Sequence, residues 1–219
     1  GGYMGKIAFV DLTTSEIRSQ ELDEAFVRKY LGGYGLGVRI MFESQKKGAD
    51  PMGPENILGF TAGILTGTKT PASGRYMAVS KSPLTGGWGD ANSGGYFGSE
   101  LKSAGWDAIF VSGVAPSPRY IMMADDRIEV RDAAHLWGKD TIETESILQK
   151  ELGESKLRVA TIGPASERLS LISGIVNDRG RIAARSGLGA VMGAKKLKAV
   201  AVRGTGKVKV TDRDTLNRA

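Results

Sequence analysis

The chain has no cysteine and one histidine in 219 residues. Without thiols it has no disulfide framework, no thiolate zinc site and no cysteine-ligated iron–sulfur cluster of its own. With His135 alone it has no His-pair metal motif, and a serine–histidine–acid triad would have to be built on that residue. His135 lies in DAAHLW and reads as a structural or surface side chain. No run of 18 apolar residues occurs, so no transmembrane helix is expected. The opening GGYMGKIAFVDLTT lacks the basic-then-apolar layout of a secretory signal. These absences agree with a cytoplasmic location. Redox chemistry, if the protein performs it, needs electron carriers from outside the chain.

Glycine is abundant, with 31 residues, about twice the usual share. It follows no three-residue period, so it marks tight turns and close backbone approaches rather than a collagen repeat. The net charge of +6 is unevenly placed. Residues 179–209 carry nine basic side chains and no acid, leaving 21 basic against 24 acidic residues elsewhere. That segment suits an anionic partner or a solvated basic face.

Pattern reading predicts an opening hairpin over residues 6–12 and 16–21. A helix capped by Asp23 follows over 24–31, then a glycine break at 32–37 and a second helix over 36–45. Strands are expected at 57–62 and 75–80, a loop at 63–74, and a long glycine-rich loop at 82–95. A helix over 96–104 and a strand over 108–112 complete this part. Residues 119–123 and 127–131 read as a hairpin about Asp125-Asp126, which argues against a glycosidase pair there. Then come a helix over 141–152, strands at 158–162 and 169–176, and a turn at 177–180. A glycine-broken, partly helical stretch covers 182–192, with strands at 199–203 and 207–210. A helix begins at 211–219, which suggests a fragment of a longer protein.

An internal repeat is visible. Ser93-Gly94 is followed by Gly98, Lys102, Ala108-Ile109, Val111 and Gly113; Ser186-Gly187 is followed by Gly193, Lys195 or Lys198, Ala199-Val200, Val202 and Gly204. The offset of about 91 to 93 relates residues near 57–113 to residues near 158–204. Two copies of strand, strand, glycine loop, helix and strand imply an α+β domain with a pseudo-twofold. Two is too few copies for a solenoid.

The chemistry concentrates in the matched loops. In the first, Arg75 supplies a planar fork for an oxyanion, and Asn92, Ser93, Gly94 and Gly95 lead into a helix N-terminus, a favourable place for phosphate. In the second, NDRGRIAARSGLGA, Arg181 and Arg185 would neutralise the charge of a shared ligand. The run Gly33-Tyr34-Gly35-Leu36-Gly37 is discounted as a dinucleotide fingerprint, because it follows a helix rather than a strand. No Walker A motif is present.

The segments ILTGTKTPASGRY, SKSPLTGGWGDANSGGYFGSELKSAGWDAI, RDAAHLWGKDTIETE, IGPASERL and RSGLGAVMGAKKLKAVAVRGT together resemble the N-terminal domain of the aldehyde ferredoxin oxidoreductase family. The resemblance spans about residues 3–210. It implies a β-rich base of two pseudo-twofold repeats carrying a tungsten (or molybdenum) bis-pterin cofactor. It places residues 1–210 in that domain and 211–219 at the start of a following, truncated one. It implies magnesium between the pterin phosphates, held by the backbone carbonyls of Asn92 and Ile182. Arg75, Ser93, Gly94, Gly95, Arg181, Ala183 and Arg185 fall among the implied cofactor-binding residues. A 4Fe-4S cluster would be bound by cysteines outside this chain, and no catalytic residue is expected within it. The implied activity is aldehyde oxidation to a carboxylic acid with electron transfer to ferredoxin.

Two departures stand out. Ile182 replaces a usual small residue, and GRIAARSG replaces a more glycine-rich stretch. The implied partners are ferredoxin, an aldehyde, the remaining domains and, as in many family members, a second copy; neither nucleic acid nor membrane is expected. Two other readings are a family member with a different reaction, on hydroxy acids or as an aromatic acyl-CoA reductase subunit, and a non-catalytic basic module binding anions or nucleic acid through residues 179–209. The apolar interruptions Leu188, Val191, Met192, Val200 and Val202, and the absence of interleaved aromatics, argue against the last.

Overall fold

Runs of β-branched and aromatic residues build strands, and the computed structural model, which describes residues 1–68 and 70–218, sorts them into two six-stranded sheets. The first contains β1 (Lys6–Asp11), β2 (Ile17–Glu21), β3 (Leu58–Ala62), β4 (Tyr76–Lys81), β5 (Trp88–Ser93) and β6 (Ala108–Ser112), in the order β2-β1-β6-β3-β4-β5. The second contains β7 (Arg119–Ala124), β8 (Arg127–Asp132), β9 (Arg158–Thr161), β10 (Ile175–Asn177), β11 (Arg181–Ala183) and β12 (Leu197–Arg203). From the matching end its order is β8-β7-β12-β9-β10-β11. In each sheet an antiparallel hairpin joins in parallel to the last strand of its half, and three antiparallel strands follow. The two orders agree strand for strand. The repeat therefore reaches beyond the expected segments and includes the hairpins β1–β2 and β7–β8.

Seven α-helices and a 3-10 turn at Ala134–Leu136 complete the described residues: α1 (Glu24–Tyr30), α2 (Gly33–Ser44), α3 (Phe97–Ser103), α4 (Thr141–Glu151), α5 (Pro164–Glu167), α6 (Leu188–Ala194) and α7 (Arg213–Arg218). The central core gathers the inner faces of both sheets with α3 and α6 between them, through residues such as Phe60, Ala91, Phe97, Leu101, Ile121, Leu188 and Val200. Phe60, Tyr76 and Phe97 stack there with centroids 4.8–6.2 Å apart, a large buried area fixed in orientation. The outer face of the first sheet packs on α1 and α2, and that of the second on α4. Asp23 caps α1 by accepting from the Phe26 amide at 2.6 Å, as the sequence predicts. Asp140 and Glu143 close a capping box on α4.

Four expectations are corrected. The loop expected over 82–95 is a hairpin whose second strand is β5; only residues 82–87 turn, with Ser82 and Gly87 bonded at 2.9 Å. The glycine break expected at 32–37 narrows to Leu31–Gly32, and Gly33 onward forms the first turn of α2. A Cβ on Gly35 would overlap the Tyr30 carbonyl oxygen, so Gly35 serves close packing between α1 and α2, while Gly37 packs on Val79 of the sheet. The strand expected over 169–176 shrinks to β10, because α5 and a turn closed by Ser173 on the Ser170 carbonyl (3.0 Å) take up the preceding chain. Residues 207–210 form no strand; there the Lys209 carbonyl accepts from the Gly2 amide at 2.8 Å. Of the expected loop 63–74 and terminal helix 211–219, Lys69 and Ala219 lie outside the described residues.

The basic segment 179–209 is not one surface. Lys195 and Lys198 are buried, Lys195 with its ammonium 3.1 Å from the Gly113 carbonyl and Lys198 paired with Glu167 at 2.5 Å. Burial pushes the Lys195 ammonium down to about 8 and lowers that of Lys198. Arg203 pairs with Glu100 and Glu154. What remains exposed near the glycine motifs is Arg179, Arg181 and Arg185.

Candidate functional site

The two sheets end on β5 and β11, and these terminal strands lie against each other. Asn92 pairs with Met77, Met77 with Thr61, and Thr61 with Ala108 across the first sheet. Ile182 pairs with Val176, Val176 with Thr161, and Thr161 with Ala199 across the second. Asn92 and Ile182 thus hold equivalent positions in the two copies.

Their backbones face the open side. Ser186 Oγ accepts from the Asp90 amide at 3.2 Å and donates to the Asp90 carbonyl at 2.9 Å, so Asp90 points away from β4. Antiparallel strands alternate in this respect, so Asn92, two residues on, also directs its N–H and C=O off the edge. On β11 the turn at 177–180 closes with the Gly180 amide on the Asn177 carbonyl at 3.2 Å. The Ala183 carbonyl lies 2.6 Å from where a Gly174 side chain would stand, so it faces β10. Ile182 between them therefore turns its carbonyl outward. Among the described residues, no donor outside the ladders reaches either carbonyl.

Side chains then clasp the edges together. Ser93 Oγ donates to Asn177 Oδ1 at 2.6 Å, and Asn177 Nδ2 donates to the Gly94 carbonyl at 2.9 Å. Ser82 Oγ donates to the Ser186 carbonyl at 2.8 Å. Asp178 Oδ2 accepts the Tyr96 amide at 2.7 Å, and Arg158 stands 3.6 Å from Oδ1. Gly95, at φ +99°, has no room for a side chain: a Cβ would overlap Asp178 Oδ2 and lie 2.9 Å from Asn177 Nδ2. One amide at the start of α3, that of Tyr96, thus serves a carboxylate whose negative charge opposes an anion beside it.

The sequence-predicted site residues therefore divide. Arg75, Arg181 and Arg185 are exposed and join no ion pair among the described residues; Arg75 Nη1 donates to Asn92 Oδ1. A Cβ on Gly94 would meet only Arg181 Nη1, at 3.4 Å, so its outer side is open to close approach. The Ser93 side chain is buried and engaged by Asn177, and that of Ala183 faces the core, so neither side chain is open at the edge. Sequence reasoning gave no role to Tyr34, whose hydroxyl accepts from Asn92 Nδ2 at 2.9 Å, or to Ser82, Asn177, Asp178 and Ser186 in joining the edges. Asn177, Asp178 and Ser186 lie in the second glycine motif and Ser82 beside the first, which was their only signal. Tyr76, between the sheets, has a buried hydroxyl without a partner among the described residues; burial, reinforced by Asp178, holds its phenol well above the ordinary range.

The profile described as "Aldehyde ferredoxin oxidoreductase, N-terminal domain" matches residues 7–204. The chain belongs to the aldehyde ferredoxin oxidoreductase family. The tungsten-containing aldehyde ferredoxin oxidoreductase of Thermococcus kodakarensis is 50% identical over 212 residues, covering 97% of this chain and 35% of that protein. The enzyme of the same name from Pyrococcus furiosus is 49% identical with the same coverage. The WOR-like subunit of an aliphatic sulfonate oxidoreductase from Pyrococcus furiosus is 36% identical, covering 93% of this chain and 35% of that one. A chain of the solved active-site complex BamBC of benzoyl coenzyme A reductase, in complex with 1,5-dienoyl-CoA, superposes with a TM-score of 0.94 at 39% identity. It covers 97% of this chain and 32% of that one. The chain thus spans about a third of the length of the curated relatives it matches.

The chemistry of the edge suits a bound cofactor. Paired outward carbonyls suit a hard cation, guanidinium groups without carboxylate partners suit phosphate, and open backbone at Gly94 suits a planar group. Among the described residues, no three His, Cys, Asp or Glu side chains converge to hold a metal. No described helix is long and apolar enough to cross a membrane.

Proposed function

We propose that this chain is the cofactor platform of a tungsten-pterin oxidoreductase that converts aldehydes to carboxylic acids and passes the electrons to ferredoxin. The observation that carries the reading is the pair of equivalent open edges, each turning one carbonyl outward, at Asn92 and Ile182. On this reading the two carbonyls would hold a magnesium ion that accompanies the cofactor's phosphates. Arg75, Arg181 and Arg185 neutralise those phosphates, and Gly94, Gly95 and Ala183 provide backbone against which the pterins lie. When bound, the tungsten-pterin group supplies the two-electron chemistry. The residues of this chain bind and orient it, and the interlocked edges keep the two halves of the site in register.

The same reading assigns a 4Fe-4S cluster, the substrate channel and the catalytic groups to chain outside these residues. Residues 1–210 form the platform, and 211–219 begin the next domain. It also implies a cytoplasmic enzyme, with a homodimer as the expected assembly. A different reaction on the same platform is the second reading, favoured by the similarity to a sulfonate oxidoreductase subunit and to a benzoyl-CoA reductase complex. Identities of 49–50% to the aldehyde enzymes against 36–39% to the others favour aldehyde oxidation. The test is Arg181→Ala in the full-length protein. Tungsten and pterin retained after gel filtration should fall, and unchanged content would overturn the platform role.

A further inference from the structure

The Gly33-Tyr34-Gly35-Leu36-Gly37 run has no role yet beyond packing. It starts α2 on the outer face of the first sheet, where a Cβ on Gly33 would touch Met77 Cε at 3.6 Å. Met77 is the cross-strand partner of Asn92, so the first turn of α2 lies beside the open edge of β5. Tyr34 is half-buried there, and its hydroxyl meets the Asn92 side chain.

Hydrogen-bond logic fixes every proton in this group. A guanidinium can only donate, so the oxygen of the Asn92 amide faces Arg75. The amide nitrogen must then face Tyr34, 2.9 Å away. An amide N–H₂ can only donate, so the Tyr34 oxygen accepts. The hydroxyl hydrogen of Tyr34 is left over, and no acceptor for it occurs among the described residues. Tyr34 and Arg75 therefore present donors at the two ends of one amide, on the residue whose carbonyl points off the edge.

We propose that Tyr34 is a further binding residue of the cofactor site, donating its hydroxyl hydrogen to a phosphate oxygen of the group that Arg75 faces. The inference rests on the platform reading. It assigns Tyr34 two simultaneous bonds, one accepted from Asn92 and one donated to the anion, so that the side chain both orients the edge and holds the ligand. Phenylalanine would keep the ring and lose both bonds.

The test uses the full-length holoenzyme and follows release of tungsten and pterin, by metal analysis and pterin fluorescence, after dilution. Tyr34→Phe should release cofactor roughly 10- to 100-fold faster, the usual weight of a hydrogen bond to a charged group. Arg75→Ala, run beside it, should do at least as much. Unchanged release in Tyr34→Phe alone would overturn this inference and leave the platform standing. Unchanged release in both Tyr34→Phe and Arg75→Ala would overturn the platform and this inference with it.

Discussion

Replacing Lys195 by methionine should make the chain more stable at neutral pH. Lys195 is 1% exposed, its ammonium has no carboxylate within ion-pair distance among the described residues, and it donates to one carbonyl, that of Gly113, at 3.1 Å. Burial lowers it from 10.5 to about 8, with only a distant attraction to Asp11 opposing the shift. At roughly 1.4 kcal/mol per pH unit, that drop costs the folded state about 3 kcal/mol. Below pH 8 both states hold the proton and the full cost applies. Between pH 8 and 10.5 the unfolded chain keeps a proton that the folded chain has released, so stability rises with pH; above that range the cost is gone. Methionine matches the length of the stem and removes the charge, and the lost bond to Gly113 costs about 1 kcal/mol. The net gain below pH 8 is about 2 kcal/mol, or roughly 4–8 °C in melting temperature for a chain of this size. Thermal melts of wild type and Lys195→Met from pH 6.5 to 10.5 read the effect as a difference, which cancels every other titrating group. The gain should shrink above pH 8 and reverse slightly near 10.5. A lower melting temperature at pH 7, or a gain that does not change with pH, would refute the argument.

Other substitutions probe the same packing. Gly95→Ala places a methyl group into Asp178 at φ +99°, so backbone strain alone should cost about 1–3 kcal/mol in a thermal or urea melt; an unchanged midpoint would contradict the described clasp. Glu167→Ala strips the carboxylate from buried Lys198, which retains only the Lys139 carbonyl at 2.7 Å, and should cost about 3–5 kcal/mol. Asp140→Ala removes the capping box of α4 and should cost about 1 kcal/mol, visible as a lower urea midpoint with the slope preserved.

The repeat was legible because its helix-and-strand half keeps similar residues at a fixed offset in both copies. The hairpins β1–β2 and β7–β8 escaped, since KIAFVD and RYIMMA share an alternation but no residue pattern. Glycine misled the reading twice. At Gly35 it permits helix packing rather than breaking the helix, and at Gly89 it leaves room for Ser82, since an added Cβ would stand 2.9 Å from the Ser82 Cβ. Neither use differs from a loop glycine in sequence. The charge count misled once, because Lys195 and Lys198 follow helix α6 into the interior and are satisfied by partners distant in sequence. The arginines drew notice in their glycine-rich motifs, and Asn92 and Ile182 through the family resemblance; their roles at the cofactor belong to the proposal. Which amide at α3 was already taken was not legible, because Asp178 arrives from the other copy.

The account stands on the claim that β5 and β11 together hold the cofactor. Anomalous diffraction at a tungsten absorption edge, from crystals of the full-length protein, tests it most directly. One tungsten peak should lie over the facing edges of β5 and β11, with pterin density reaching Arg75 and Arg181 and a cation against the carbonyls of Asn92 and Ile182. A tungsten peak away from both edges, with Asn92 and Ile182 facing only solvent, would contradict it.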